Sequence, residues 1–258
     1  MILSKIINEK RKEIDALRAK MPLAELKELA SKNYVKSSFK RNIGRAHHIN
    51  LVAELKKASP QKGIIRGDFN PLKIALTYQA NGASAISVIT DERFFEGNIK
   101  IIKELKDRVT LPILRKDFII DEYQIYESLY WGADAILLIA QILTEDELVN
   151  FYKIAKDLGM DVLVETHSEE DIAKVLKSGA SIIGINNRDL TTFKIDLSTT
   201  QRLIRLIPES KIRLSESGIK TYEDVMFLKS LGINAVLIGE AFMESDDIAA
   251  KMREIMKY

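Results

Sequence analysis

The sequence predicts an α/β protein, a single (β/α)8 barrel preceded by two extra N-terminal helices. Three observations carry that prediction. From residue 49 onward, short apolar runs rich in β-branched residues recur, and five of them follow a glycine joint: NGASAISVIT, WGADAILLIA, LGMDVLVET, SGASIIGIN and LGINAVLIG. The runs are apolar on both faces, as a parallel sheet covered on both sides requires. Helical patterns fill the intervals, and eight strand–helix units within 258 residues match one barrel of the usual size.

Composition bounds the rest. The chain is 46% apolar and 29% charged, enough for a sizeable core and too apolar for disorder. Its 39 basic and 37 acidic residues leave a net charge of +2 with no basic block, so nothing in it argues for nucleic acid or an anionic membrane. A small anionic ligand remains compatible. Cysteine is absent, which excludes a disulfide framework, a thiolate metal site and a cysteine nucleophile, and fits a reducing, cytoplasmic setting. The first twenty residues carry charges throughout and do not read as a secretory signal. The longest apolar stretch, 135–140, is too short to span a bilayer.

Taken in order, Leu3, Ile6, Ile7, Ile14 and Leu17 recur at helical spacing, so the chain opens on an amphipathic helix. Pro22 suits the first turn of a second helix carrying Leu23, Leu26 and Leu29. Residues 1–48 thus form a helical extension packed on the barrel of 49–258, the two making one structural domain. Lys32 to His48 reads as a polar connection, with His47 and His48 as exposed loop residues. Strands are expected near 50–55, 85–90, 112–116, 135–139, 161–165, 181–186, 211–215 and 235–239. Gly82, Gly132, Gly159, Gly179 and Gly232 can end the preceding helices in a left-handed conformation. Thr144 followed by Glu147 is a capping-box signature for the helix from Thr144 to Leu158. A doubly wound open sheet is the alternative; it would more often carry a G-x-G-x-x-G fingerprint, and none is present.

In a barrel the C-terminal ends of the strands make the active-site face. The first strand ends on Glu54 and Lys56, which point the same way because strand side chains alternate, with Ser59 just beyond. The third ends on Lys116 and Asp117, the fifth on Glu165, the sixth on Asn186 and Arg188. The seventh ends on Ser215, Glu216, Ser217 and Gly218, the eighth on Gly239 and Glu240. Any one of these could be a solvated loop residue. So many polar groups ending strands on one face are hard to explain that way. Two lysines suit an anionic substrate, and a neighbouring cation with partial burial would lower a lysine pKa towards neutrality. A glutamate among apolar walls is pushed up and can act as acid or base. Gly218 and Gly239 offer backbone N–H groups beside helix starts, the usual barrel phosphate site.

These residues resemble the indole-3-glycerol-phosphate synthase family. The resemblance covers almost the whole chain and rests on AELKKASPQKG (53–63), FFEG (94–97), LPILRKDFI (111–119), ADAILLIA (133–140), LVETH (163–167), GINNRDL (184–190), LSESGI (214–219) and LIGEAFM (237–243). The departures are mild: the family more often has Ile at Leu55 and Ser at Gln61. The resemblance implies the monofunctional form, with no metal or redox cofactor. The implied reaction is conversion of 1-(2-carboxyphenylamino)-1-deoxyribulose 5-phosphate to indole-3-glycerol phosphate, by ring closure, loss of CO2 and loss of water. The implied catalytic set is Glu54, Lys56, Lys116, Glu165, Asn186, Glu216 and Ser217. Lys116 looks like the acid that protonates the ketone oxygen, Lys56 like the partner of the benzoate carboxylate, and Glu165 like the base or acid of the dehydration. Glu54 and Asn186 orient these groups. Phe95, Phe118 and Leu138 match positions that wall the aromatic ring. Gly218 and Gly239 would hold the phosphate, with Ser59, Arg188 and Glu240 beside it.

Three rival readings stay open. A class I aldolase-type barrel would use Lys116 as a Schiff base. Phosphoribosylanthranilate isomerase is a sister barrel whose cysteine base has no counterpart here. A non-catalytic phosphosugar-binding barrel would bind without turnover. The residues leave monomer or dimer undecided.

Overall fold

The computed structural model describes residues 2–33, 37–46, 48–189, 192 and 194–257. Eight parallel strands close into a barrel: β1 Asn50–Leu55, β2 Ala85–Ile89, β3 Ile113–Lys116, β4 Ala135–Ile139, β5 Asp161–Thr166, β6 Ile182–Asn186, β7 Ile212–Glu216 and β8 Ala235–Ile238. Closure runs through β1, which pairs Val52 with Ala85 of β2 on one side and Asn50 with Ala235 of β8 on the other. Every strand bound lies within a residue or so of the one expected from the sequence.

The strands are apolar on both faces because both are buried. Val52, Leu114, Leu137, Leu163, Leu214 and Leu237 fill the barrel, while Leu51, Ala53, Ile136, Leu138, Val164 and Ile185 pack outward under the helices. Barrel helices end as the glycines suggest, with φ between 77° and 88° at Gly82, Gly132, Gly159, Gly179 and Gly232. Thr144 and Glu147 form the reciprocal capping box that opens the helix Glu145–Asp157.

Ahead of the barrel lie α1 (Ile2–Lys20), α2 (Leu23–Ala30) and α3 (Phe39–Ile43). Pro22 sits immediately before α2, where its missing N–H costs nothing. Ile14 of α1 and Leu26 of α2 bury against Tyr123 on the helix Glu122–Trp131. Helix α3 corrects the reading of 32–48 as a plain polar connection. Phe39 and Ile43 are fully buried against the barrel interior and close its N-terminal end. Five residues offer only one i, i+4 apolar pair, too little for helical periodicity to show. His48 is exposed, whereas His47, like Leu190 of the GINNRDL run, lies outside the described residues.

Candidate active site

At the open end of the barrel the interior turns from leucine to charge. β1 contributes Glu54, and Lys56 one step beyond the strand returns to the same face, its Nζ 3.3 Å from Glu54 Oε1. Glu54 lies flat against Gly239. A Cβ there would stand 2.7 Å from Glu54 Oε1 and 2.8 Å from its Cβ, so the glycine makes room for the carboxylate. From behind, the buried Tyr78 hydroxyl donates to the Glu54 carbonyl oxygen at 2.9 Å.

Lys116 ends β3 and reaches across the barrel. Its Nζ lies 3.2 Å from Glu165 Oε2 on β5 and 3.1 Å from Glu216 Oε2 on β7. Both carboxylates are 2% exposed, so water does little to screen them. Glu165 Oε1 accepts from Asn186 Nδ2 at 3.0 Å, and His167 Nε2 stands 3.3 Å from the same oxygen. Gly184 leaves space for Glu216, whose Oε1 a Cβ would approach to 2.9 Å.

The electrostatics follow from that packing. Burial disfavours the charge on Lys116, but Glu165, Glu216 and Glu54 outweigh it and raise its pKa above the ordinary lysine range. This corrects the expectation of a lysine lowered towards neutrality: that expectation weighted the second cation above the carboxylates of the same face, two of which lie within 3.2 Å of Lys116 Nζ. Burial also opposes the charge of Glu165, yet Lys116, His167 and the Asn186 hydrogen bond hold its carboxyl below the usual value. Glu216 goes the other way. Burial, only partly offset by Lys116 and reinforced by Glu165 and Glu54, pushes it up. Around neutral pH the trio therefore holds an ammonium, an ionised Glu165 and a Glu216 that retains its proton more readily.

A second cluster sits beside the first. Arg188 Nη2 lies 3.0 Å, Lys62 Nζ 2.8 Å and Lys56 Nζ 4.0 Å from the Glu240 carboxylate. The loop after β7 is bent through two consecutive left-handed residues, Ser217 at φ 68° and Gly218 at φ 82°. For serine that conformation costs about 1–2 kcal/mol. Asn187, which sequence reasoning passed over, holds the bend: its Nδ2 donates to Ser215 Oγ, Glu216 O and Ser217 O at 2.9, 3.0 and 3.1 Å. Its Oδ1 accepts from the Thr200 backbone and hydroxyl. The signal was an asparagine doublet ending β6, of which only Asn186 was singled out.

On the opposite side Phe95 and Phe118 form an aromatic wall, ring centroids 6.2 Å apart, continued by Ile89, Leu137 and Ile139. One cavity joins these parts. Glu54, Lys56, Phe95, Lys116, Phe118, Glu165, Asn186, Arg188, Glu216, Ser217, Gly218, Gly239 and Glu240 all line it. Three expected residues do not. Ser215 is fully buried outside it, its Oγ bonded to Asn187 and Thr200. Leu138 is buried under the helices, and its neighbours Leu137 and Ile139 face the cavity instead. Ser59 lies in a short hairpin after β1, with two residues in each strand, where its Oγ accepts from the Lys62 backbone N–H at 3.3 Å. Lys10, Asp91 and His167 near the site were not anticipated.

The chain is similar to known proteins along nearly its whole length. The family model for indole-3-glycerol phosphate synthase matches residues 3–255. A protein of that name from Caldanaerobacter subterraneus subsp. tengcongensis is 52% identical over 258 residues, covering 100% of this chain and 98% of that one. Another from Alkaliphilus metalliredigens is 48% identical over 255 residues, covering 99% and 98%. Among solved structures, 3-hexulose-6-phosphate synthase from Salmonella typhimurium superposes with a TM-score of 0.64 at 15% identity, covering 81% of this chain and 97% of that one; this speaks for the fold alone. Among the described residues no helix is long and apolar enough to cross a membrane. With a family match along nearly its full length and relatives at half identity, the chain belongs to the indole-3-glycerol phosphate synthase family.

Proposed function

We propose that this chain converts 1-(2-carboxyphenylamino)-1-deoxyribulose 5-phosphate to indole-3-glycerol phosphate, a cytoplasmic step of tryptophan biosynthesis. The observation that carries the reading is the Lys116 ammonium, held between the buried carboxylates of Glu165 and Glu216 in a cavity with an aromatic wall on one side and cations on the other. A substrate with a benzoate ring at one end and a phosphate at the other has its reacting carbons between the two. The ring lies along Phe95 and Phe118, and its carboxylate meets Lys56. The phosphate lies by Arg188 and the backbone N–H groups of the Gly218 and Gly239 turns.

Ring closure joins the carboxylate-bearing ring carbon to the ketone carbon, and the ketone oxygen becomes a hydroxyl. Lys116 supplies that proton. Its raised pKa is no obstacle, because a developing alkoxide is more basic still. Loss of CO2 then returns the bonding electrons to the ring. Dehydration removes the new hydroxyl as water and takes a proton from the adjacent carbon. Glu165, held ionised, accepts that proton, and Lys56 delivers one to the departing hydroxyl. Glu54 fixes Lys56, and Asn186 fixes Glu165. A protonated Glu216 and the Ser217 hydroxyl are donors for the sugar hydroxyls.

The test is fluorescence-detected turnover of this substrate by the purified protein without added metal or cofactor. Indole-like emission growing with time is the expected result. A folded protein that binds the substrate and forms no product refutes it. The Schiff-base alternative requires a neutral Lys116 amine, which its carboxylate neighbours oppose. Borohydride should therefore trap no adduct.

A further inference from the structure

Helix α1 carries a lysine that the proposed reaction does not use. Lys10 is 1% exposed, and its Nζ lies 2.8 Å from Glu13, 3.1 Å from Asp91 Oδ2 and 3.0 Å from Asp117 Oδ1. Glu13 is half-exposed, but Asp91 and Asp117 are buried and line the active-site cavity. A buried ammonium taken from a distant helix is costly unless fully paired, and here two of its three partners belong to the catalytic end of the barrel.

Each aspartate holds one half of the aromatic wall. Asp91 follows β2 and caps the short helix Glu92–Phe95, its Oδ1 accepting from the Phe94 backbone N–H at 2.8 Å. Its carbonyl accepts from Gly97 at 2.8 Å. There a side chain is excluded, since a Cβ would stand 2.4 Å from the Ile89 carbonyl oxygen. Asp117 follows Lys116, and its Oδ1 accepts from the Phe118 backbone N–H at 2.8 Å. Its Oδ2 meets Arg115 Nη2 at 3.1 Å and the Thr90 hydroxyl at 2.6 Å. Lys10 is thus the cation shared by the segments that present Phe95 and Phe118. Without it, two buried carboxylates of like charge face each other across the seam and are driven apart.

We infer that Lys10 is a positioning residue: by drawing Asp91 and Asp117 together, it sets the spacing of Phe95 and Phe118 and so the affinity for the substrate's aromatic ring. The inference rests on the ring-wall reading given under Proposed function. It makes α1 part of the specificity apparatus, where a purely structural helix would contribute stability alone.

The test is Lys10→Met, which keeps the length of the side chain and removes its charge. Three quantities are compared with the unmodified protein: KM for the substrate, inhibition by anthranilate as a probe of the ring half, and inhibition by inorganic phosphate as a probe of the other half. We expect KM and the anthranilate constant to rise about tenfold, the scale of a lost aromatic pairing, with the phosphate constant unchanged. Glu13→Gln removes only the half-exposed partner and should leave all three within about twofold. An equal loss at both halves, or none at either, overturns the inference. Should Lys10→Met fail to fold, hydrogen exchange of the unmodified protein decides. Anthranilate should slow exchange in 91–97, 117–120 and 6–14 together, and protection that omits 6–14 overturns the inference. Turnover by the unmodified protein is measured in the same series. Its absence would refute the proposed reaction itself, a result distinct from a loss confined to Lys10→Met.

Discussion

Replacing Lys116 by methionine keeps the bulk of the side chain and removes the one cation between Glu165 and Glu216. At 3.2 and 3.1 Å, each contact is worth about 5 kcal/mol before desolvation at an effective dielectric of roughly 20. Most of that is cancelled by the cost of burying the charges, so the net loss for a broken buried pair is about 3–5 kcal/mol. The loss must depend on pH. Without the ammonium, two buried carboxylates face one another and one takes up a proton, so the folded pair titrates above the ordinary carboxylate value of 4.5. An acid whose folded pKa is raised adds stability at low pH and loses it as pH climbs from the unfolded value to the folded one. Lys116→Met should therefore melt close to the unmodified protein near pH 5 and well below it near pH 8.5. In the fluorescence assay its kcat should fall by about 10²–10⁴, the usual contribution of a positioned acid, or some 3–5 kcal/mol of barrier. A kcat within about tenfold of the original would refute the assignment of Lys116 as the ring-closure acid. A melting difference that ignores pH would refute the electrostatic account of the trio.

Three further predictions concern its surroundings. Glu165→Gln keeps the shape and the Asn186 contact but cannot accept a proton, so turnover should slow by about 10²–10⁴; a change below about threefold would remove Glu165 from the mechanism. Gly239→Ala drives a methyl group into Glu54, and kcat should fall at least tenfold (roughly 1.4 kcal/mol) while circular dichroism still reports a folded barrel. Asn187→Ala strips the supports from the bend at Ser217 and leaves buried groups unpaired, which should cost about 1–3 kcal/mol in denaturant unfolding and raise KM; unchanged stability would show that the bend stands unaided.

What the sequence reveals follows from how far apart the relevant residues lie. The strands, glycine joints and capping box are local patterns, and they were readable. The charged strand ends were readable too, because Glu54 and Lys56 alternate in step and a barrel gathers strand ends on one face. Leu138 was expected on the cavity only because it matches a family position, and the run itself offers no check on that match. AILLI is apolar on both faces, so nothing within the run says which parity points inward, and a shift of one residue exchanges the cavity for the outer core. Lys10 sits in a helix rich in charge, where a lysine reads as a solvated face, and its partners come from two distant strand ends. The three carboxylates around Lys116 were legible as strand ends of one face; what the sequence lacks is their distance, with two of them within 3.2 Å of its Nζ, and it is that closeness that raises its pKa.

Helix α3 sets the direction of molecular traffic. With Phe39 and Ile43 stopping the N-terminal end and leucines filling the middle, the barrel is a cup with one mouth. Substrate, carbon dioxide, water and product must all cross the same rim. On the proposed placement of the ring along Phe95 and Phe118, a departing indole and an arriving benzoate cannot share the aromatic wall, so each turnover waits for the previous product to clear it. Product inhibition should then be purely competitive with substrate, with residence of the indole on Phe95 and Phe118 setting an upper bound on how fast the cycle can repeat.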